Sequence, residues 1–251
     1  MDTGIVVGLV LLLVGGICAV LLLPLRERAI RKVRKVTREF GLVVTVERDP
    51  AKMSLDDLSF PFQFFFPTMD DVADPPSGLE EWWAWAHRRS GEDVGTTTIM
   101  ITLQATADVS IVVDPPLIHA ADYVVPPLGL IRSPDGVGGG GVRPRRFMVD
   151  LDATTPRAKY APPIGDDRPP SFSLSSGDSE RIQIVASVDK RDRRWWLELP
   201  ITANGVKYVK EVGSQSAPFV TISWRGKPSR SFYGGNEGED GPWSAVRTSD
   251  F

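Results

Sequence analysis

A single cysteine, Cys18, falls inside a hydrophobic run, which leaves none for a disulfide or a thiolate metal site in the rest of the 251 residues. Histidine is nearly as scarce. Neither His87 nor His119 has a cysteine beside it, so zinc ligands at the usual spacing are missing, and each histidine reads as structural. The short catalytic motifs are missing too. No GxSxG nucleophile elbow occurs, and Ser187-Val188-Asp189-Lys190 matches SxxK only at the end of a strand-like run, without SDN or KTG companions. Gly136 to Gly141 match GxGxxG literally. The next residues, Val142-Arg143-Pro144-Arg145, lead into a strand, whereas phosphate binding needs a helix N-terminus there, so the glycines read as a loop. Asp150 and Asp152 share one side of a strand and have a spacing that holds Mg²⁺ or Ca²⁺ with further oxygen ligands. With Leu151 facing inward, the expectation is a solvated outer face. These absences assign no catalytic residue, no metal and no cofactor.

A net positive charge is missing from the greater part of the chain. The formal net charge is −3, and residues 40–251 carry −7 because residues 26–39 carry +5. An acidic domain lacks the electrostatic footprint of nucleic-acid binding.

Gly4 to Leu23 is a run of twenty residues without a charge, an amide or a hydroxyl. At 1.5 Å per residue it covers roughly 30 Å, the thickness of a bilayer core, and a helix satisfies its own backbone there. Residues 1–3 form a short tail before it. No basic start, small-residue cleavage site or lipobox accompanies the run, since Ile17 precedes Cys18, and the run reads as a retained anchor. The following segment, 24–40, carries Arg26, Arg28, Arg31, Lys32, Arg34, Lys35 and Arg38. By the positive-inside rule this collar places the amino terminus outside and the large domain in the cytoplasm. Leu25, Ala29, Val33, Val36 and Phe40 form one helical stripe, so the collar suits an anionic lipid surface and equally a solvated topogenic flank. Gly4 with Gly8, and Gly15 with Ala19, have the small-xxx-small spacing that lets two such helices pack as a homodimer.

Residues 41–224 read as one mainly β domain. Gly41 to Glu47 is the first strand. Phe60 to Phe66 is an edge strand or irregular segment, because Pro61 interrupts it. A helix spans Leu79 to Arg89 and ends at Gly91, and it carries Trp82, Trp83 and Trp85, which cannot all share one face. Thr98 to Ala105 and Val109 to Val113 alternate with period two and read as a hairpin. A short strand follows near Tyr123 to Val125, then another at Arg145 to Asp152, then a proline-rich connection. Five short strands close the domain: Phe172 to Leu174, Arg181 to Val188, Arg194 to Thr202, Val206 to Val212 and Phe219 to Trp224. Asn204-Gly205 supplies a hairpin turn between the third and fourth. Trp195 and Trp196, neighbours on a strand, must face opposite ways. Residues 225–251 read as a disordered polar tail.

The fold expected is therefore a transmembrane helix followed by a β-sandwich-like domain with one short Trp-rich helix. The function expected is a single-pass membrane protein whose cytoplasmic domain binds a protein partner or acts as a scaffold, without catalysis. Trp82, Trp83, Trp85, Trp195 and Trp196 are the candidate binding residues. Two alternatives stand beside it: an extracytoplasmic glycan-binding module, and an enzyme whose catalytic residues are scattered in sequence.

Overall fold

In the computed structural model, residues 41–53, 63–67, 76, 79–106, 108–125, 130–133, 143–162, 165–223, 231–234 and 244–246 are described. The run Gly4 to Leu23, the collar 24–40, Pro61 and the glycines 136–141 lie outside the described residues. Among the described residues no helix is long and apolar enough to cross a membrane.

The described residues are mainly β, and among them are two sheets and one short α-helix. Its elements are β1 (Leu42–Glu47), a 3-10 turn (Pro50–Lys52), β2 (Phe64–Phe66), α1 (Leu79–Arg88), β3 (Glu92–Val94), β4 (Thr96–Ala105), β5 (Ile111–Val113), β6 (Leu117–Asp122), β7 (Leu130–Ser133) and β8 (Arg145–Asp150). They continue with β9 (Ala158–Tyr160), β10 (Phe172–Leu174), β11 (Ser179–Ser187), β12 (Arg193–Ala203), β13 (Val206–Val212), β14 (Phe219–Ile222), β15 (Ser231–Gly234) and β16 (Ser244–Val246). The first sheet has the order β1-β4-β11-β8-β9. The second runs β10-β5-β12-β14-β3-β2-β7-β15-β16, with β13 and β6 also paired to β12.

The main core lies between the sheets. Ile99, Ile101 and Leu103 of β4 and Ile184 of β11 meet Leu197 and Ile201 of β12, all of them buried. Period-two alternation produces this: along β12 the odd positions from Trp195 to Ala203 are buried and the even ones reach solvent to some degree. Complete burial of an aliphatic side chain contributes about 1.5–3 kcal/mol, so these positions dominate the stability of the layer. One polar chain crosses the core. The Trp195 indole N–H donates to Thr221 Oγ1 at 3.0 Å, and Thr221 Oγ1 lies 2.8 Å from Thr97 Oγ1, whose hydroxyl reaches the Val220 carbonyl at 3.3 Å. If Thr97 donates to that carbonyl, Thr221 donates to Thr97, and each hydroxyl proton is used once.

Several elements depart from the pattern expected of the sequence. β4 and β5 are not a hairpin: β4 is flanked by β1 and β11 in the first sheet, whereas β5 pairs β10 and β12 in the second. Ile101 and Leu103 on one side and Ile111 and Val113 on the other all enter the same core, which an arch between the layers satisfies without mutual hydrogen bonds. β2 is an interior strand between β3 and β7, because Pro61 precedes the paired residues and leaves their N–H groups intact. Residues 123–125 are coil, and the strand lies just before them as β6. The proline-rich connection contains β9, and β15 and β16 fall within 225–251. Between β3 and β4 the chain passes from one sheet to the other at Gly95, where φ is 73°, a conformation that glycine adopts without steric cost.

A candidate site between helix α1 and the end of strand β1

Helix α1 packs on β2. Trp82, Trp85 and Ala86 are buried against Phe64 and Phe66, while Phe65 points the other way, toward Val94 and Ile222. The helix ends in a paired-bond stop: Gly91 N–H donates to the Ala86 carbonyl at 2.9 Å and Ser90 N–H to the His87 carbonyl at 3.2 Å. Ser90, with φ of 57°, takes the left-handed position that usually falls to glycine. Gly91 is needed for space instead, because a Cβ there would stand 2.8 Å from Phe66 Cε1 and 2.9 Å from the Ala86 oxygen.

Arg48 is the centre of the charged cluster facing this helix. The Glu47 carboxylate accepts from the backbone N–H groups of Arg48 and Asp49, at 2.9 and 2.8 Å, and so turns the chain at the end of β1. The Arg48 guanidinium lies between two rings, 5.5 Å from the Trp83 centroid and 5.1 Å from that of Phe219. It also stands 3.2 Å from His87 Nε2 and 3.7 Å from Asp93 Oδ2. Because a guanidinium only donates, Nε2 must accept, and Nδ1–H then donates to the Trp83 carbonyl at 3.0 Å. The geometry therefore holds His87 neutral with its proton on Nδ1. Burial and the Arg48 cation hold the ring below its ordinary range, against the pull of Asp93. The Trp83 ring stacks on His87 at 4.0 Å and 26°.

Glu92 lies on the same strand as Asp93, with its side chain on the opposite side. Burial first, and then the Asp93 charge, push its carboxyl up to about 7. Asp49 is buried and paired with Lys52 Nζ at 2.8 Å. The cluster thus sets a neutral histidine beside an arginine and an aromatic slot, while across the same strand Glu92 is a carboxyl displaced toward neutrality.

A second surface lies on the outer face of β6, β12 and β13. Register places His119 opposite Trp196, Leu117 opposite Glu198, and Val209 opposite Pro200. His119 stacks on Trp196 at 5.3 Å and 12°, and its Nε2 lies 3.4 Å from Glu198 Oε1. Leu117 and Val209 are 52% and 55% exposed, so an aromatic and aliphatic patch faces outward here.

The five tryptophans expected to bind therefore separate. Trp82, Trp85 and Trp195 are buried and contribute to cores, whereas Trp83 and Trp196 are half-buried, each stacked on a histidine. They belong to two different surfaces. Asp150 Oδ1 accepts from the backbone N–H of Asp152 at 2.9 Å. Asp152 accepts from the backbone N–H groups of Asp189, Lys190 and Arg191 at 2.6, 2.8 and 3.2 Å, which fixes the turn before β12 and lowers its pKa despite partial burial. Among the described residues no group of three or more His, Cys, Asp or Glu could hold a metal ion. Ser187, of the SxxK match, ends β11 with its hydroxyl 3.4 Å from the Val149 carbonyl.

The Arg48 cluster is absent from any short-range reading, since its members come from the residue after β1 and from α1, β3 and β14. One local signal exists: Trp83 and His87 are four residues apart on a helix and therefore neighbours.

No family model matches the chain, and no curated relative does. Among solved structures, the crystal structure of a Bordetella pertussis protein described as ApaA is similar over 74% of this chain and 95% of that one, at 8% identity and a TM-score of 0.29. A likeness at that level carries no argument about fold or activity.

Proposed function

We propose that this chain is a single-pass membrane protein whose β domain, on the cytoplasmic side, is a non-catalytic module that binds a protein partner through the outer face of β6, β12 and β13. The observation that carries the reading is Trp196: half-buried, stacked on His119, and set among the outward-facing Leu117, Pro200 and Val209. Tryptophan at the centre of an apolar patch with a polar surround is the residue type that dominates binding energy at protein interfaces. The anchor and the location rest on Gly4 to Leu23 and on the collar from Arg26 to Arg38.

A photo-crosslinking residue at position 209 of the full-length chain in native membranes tests the surface. A discrete protein adduct that disappears in Trp196→Ala and persists in Trp83→Ala is expected. An adduct indifferent to Trp196→Ala removes the assignment. Topology is tested by Ser249→Cys: labelling with an impermeant thiol reagent on intact cells would place the domain outside. In that case the half-buried Trp83 and Trp196, each with a stacked ring, favour the second reading, a glycan-binding envelope module.

A further inference from the structure

We propose that Arg48, His87 and Asp93 form a proton-operated latch, in which protonation of the His87 ring releases Arg48 from the slot between Trp83 and Phe219 and so unpins helix α1 from the end of β1. Each part rests on geometry. His87 Nε2 accepts from Arg48 at 3.2 Å while Nδ1–H is committed to the Trp83 carbonyl at 3.0 Å. An imidazolium has no lone pair left, so protonation converts the Arg48 contact from a hydrogen bond into a repulsion between two cations. The ring keeps its other partners, because a cation stacked on Trp83 is stabilised by the indole face. Asp93 now pairs with Arg48 at 3.7 Å, and its charge also favours the protonated ring, so it is the carboxylate the two cations exchange. Arg48 is the member that must leave.

The surrounding charges are consistent with a local event. The last residue of β1, Glu47, has its carboxylate engaged by backbone N–H groups, and Asp49, just beyond the strand, is paired with Lys52. From β3 come Asp93 and Glu92. Arg88 ends α1 and Arg89 follows it, lying over Trp85, 5.4 Å from that ring. β2 and β14 contribute the uncharged Phe64 and Phe219, with Phe64 edge-on to His87 at 5.7 Å. Burial sets the ring toward its neutral form, and among the charges Asp93 and then Arg48 act on it most, with Asp49 adding a smaller pull toward protonation.

Histidine labelled at Cε1 gives a two-resonance spectrum of the full-length chain in detergent, because there are only two histidines. His119→Asn assigns them. Between pH 5 and 8 the His87 signal is expected to titrate below the ordinary imidazole range, and the Trp83 indole signal to move with the same midpoint. Arg48→Gln raises the His87 midpoint, and His87→Gln abolishes the step at Trp83. A His87 midpoint that Arg48→Gln leaves unchanged overturns the latch. So does a Trp83 step that persists in His87→Gln, a result independent of whether Arg48→Gln folds.

Discussion

Replacing Glu92 with glutamine removes a carboxyl that the fold holds in its neutral form. Its folded value of about 7, against an ordinary 4.5, means that the native state binds the proton more tightly than the unfolded chain. Stability from this group is therefore fully present below 4.5 and is lost as pH rises through 7. At about 1.4 kcal/mol per pH unit the full displacement corresponds to roughly 3 kcal/mol, reduced to about 1–2 because the carboxyl keeps some contact with water. Among the described residues no hydrogen bond or ion pair engages that carboxyl, so the amide loses no partner. Glu92→Gln is expected to match the parent chain at pH 5 and to exceed it by about 1–2 kcal/mol at pH 8. Urea unfolding of the full-length chain in nonionic detergent, followed by tryptophan fluorescence, reads the difference at both values. His87 has the opposite slope, its contribution being lost as pH falls below its unfolded value, but it is common to both proteins and cancels. A variant equally stable or less stable than the parent at pH 8 would refute the argument that burial, with Asp93 beside it, penalises the ionised form.

Gly91→Ala forces a methyl group against Phe66 and the Ala86 carbonyl and is expected to cost about 1–3 kcal/mol in the same unfolding assay. Ser90→Gly, one residue earlier, relieves a left-handed serine and should stabilise by about 0.5–1 kcal/mol; a loss instead would mean that the helix stop depends on the serine side chain. Thr221→Val strands the Trp195 indole N–H and removes one of the two partners of Thr97, at an expected cost of about 1–3 kcal/mol. A double-mutant cycle with Thr97→Val should show coupling between the two hydroxyls, and strict additivity would argue against a shared chain.

Where side chains alternate along uninterrupted strands, the fold was legible in the sequence. β12 follows its period-two pattern, and the turn from it into β13 has Asn204 at φ 48° and Gly205 at φ 80°, as a tight hairpin requires. Alternation reports only which face is buried, and it does not say which strand lies alongside. β4 and β5 show the difference: their inward residues share one core, but the partners that claim β4, namely β1 and β11, are remote in sequence from β5. β6 was obscured because its side chains are mostly half-exposed on a face that also carries Trp196. The candidate site was less legible still. That Trp195 and Trp196 face opposite ways followed from the strand, yet which one is enclosed depended on the opposite sheet. Arg48 reaches His87 and Asp93 only through packing of α1 on β2 and pairing of β2 with β3.

The order β1-β4-β11-β8-β9 sets a timetable for synthesis. β4 ends at Ala105, and β11, which lies along its whole length, begins at Ser179. At ribosomal rates of about 5–20 residues per second, the intervening stretch takes on the order of 4–15 s to emerge. Throughout that interval Ile101 and Leu103 have β1 as a neighbour on one edge and nothing of the first sheet on the other, and Ile99 lies beyond the end of β1. A nascent chain is then most open to mispairing or to chaperone capture at β4, and truncations ending between β5 and β10 should be retained by such factors while those extending past β12 should be released.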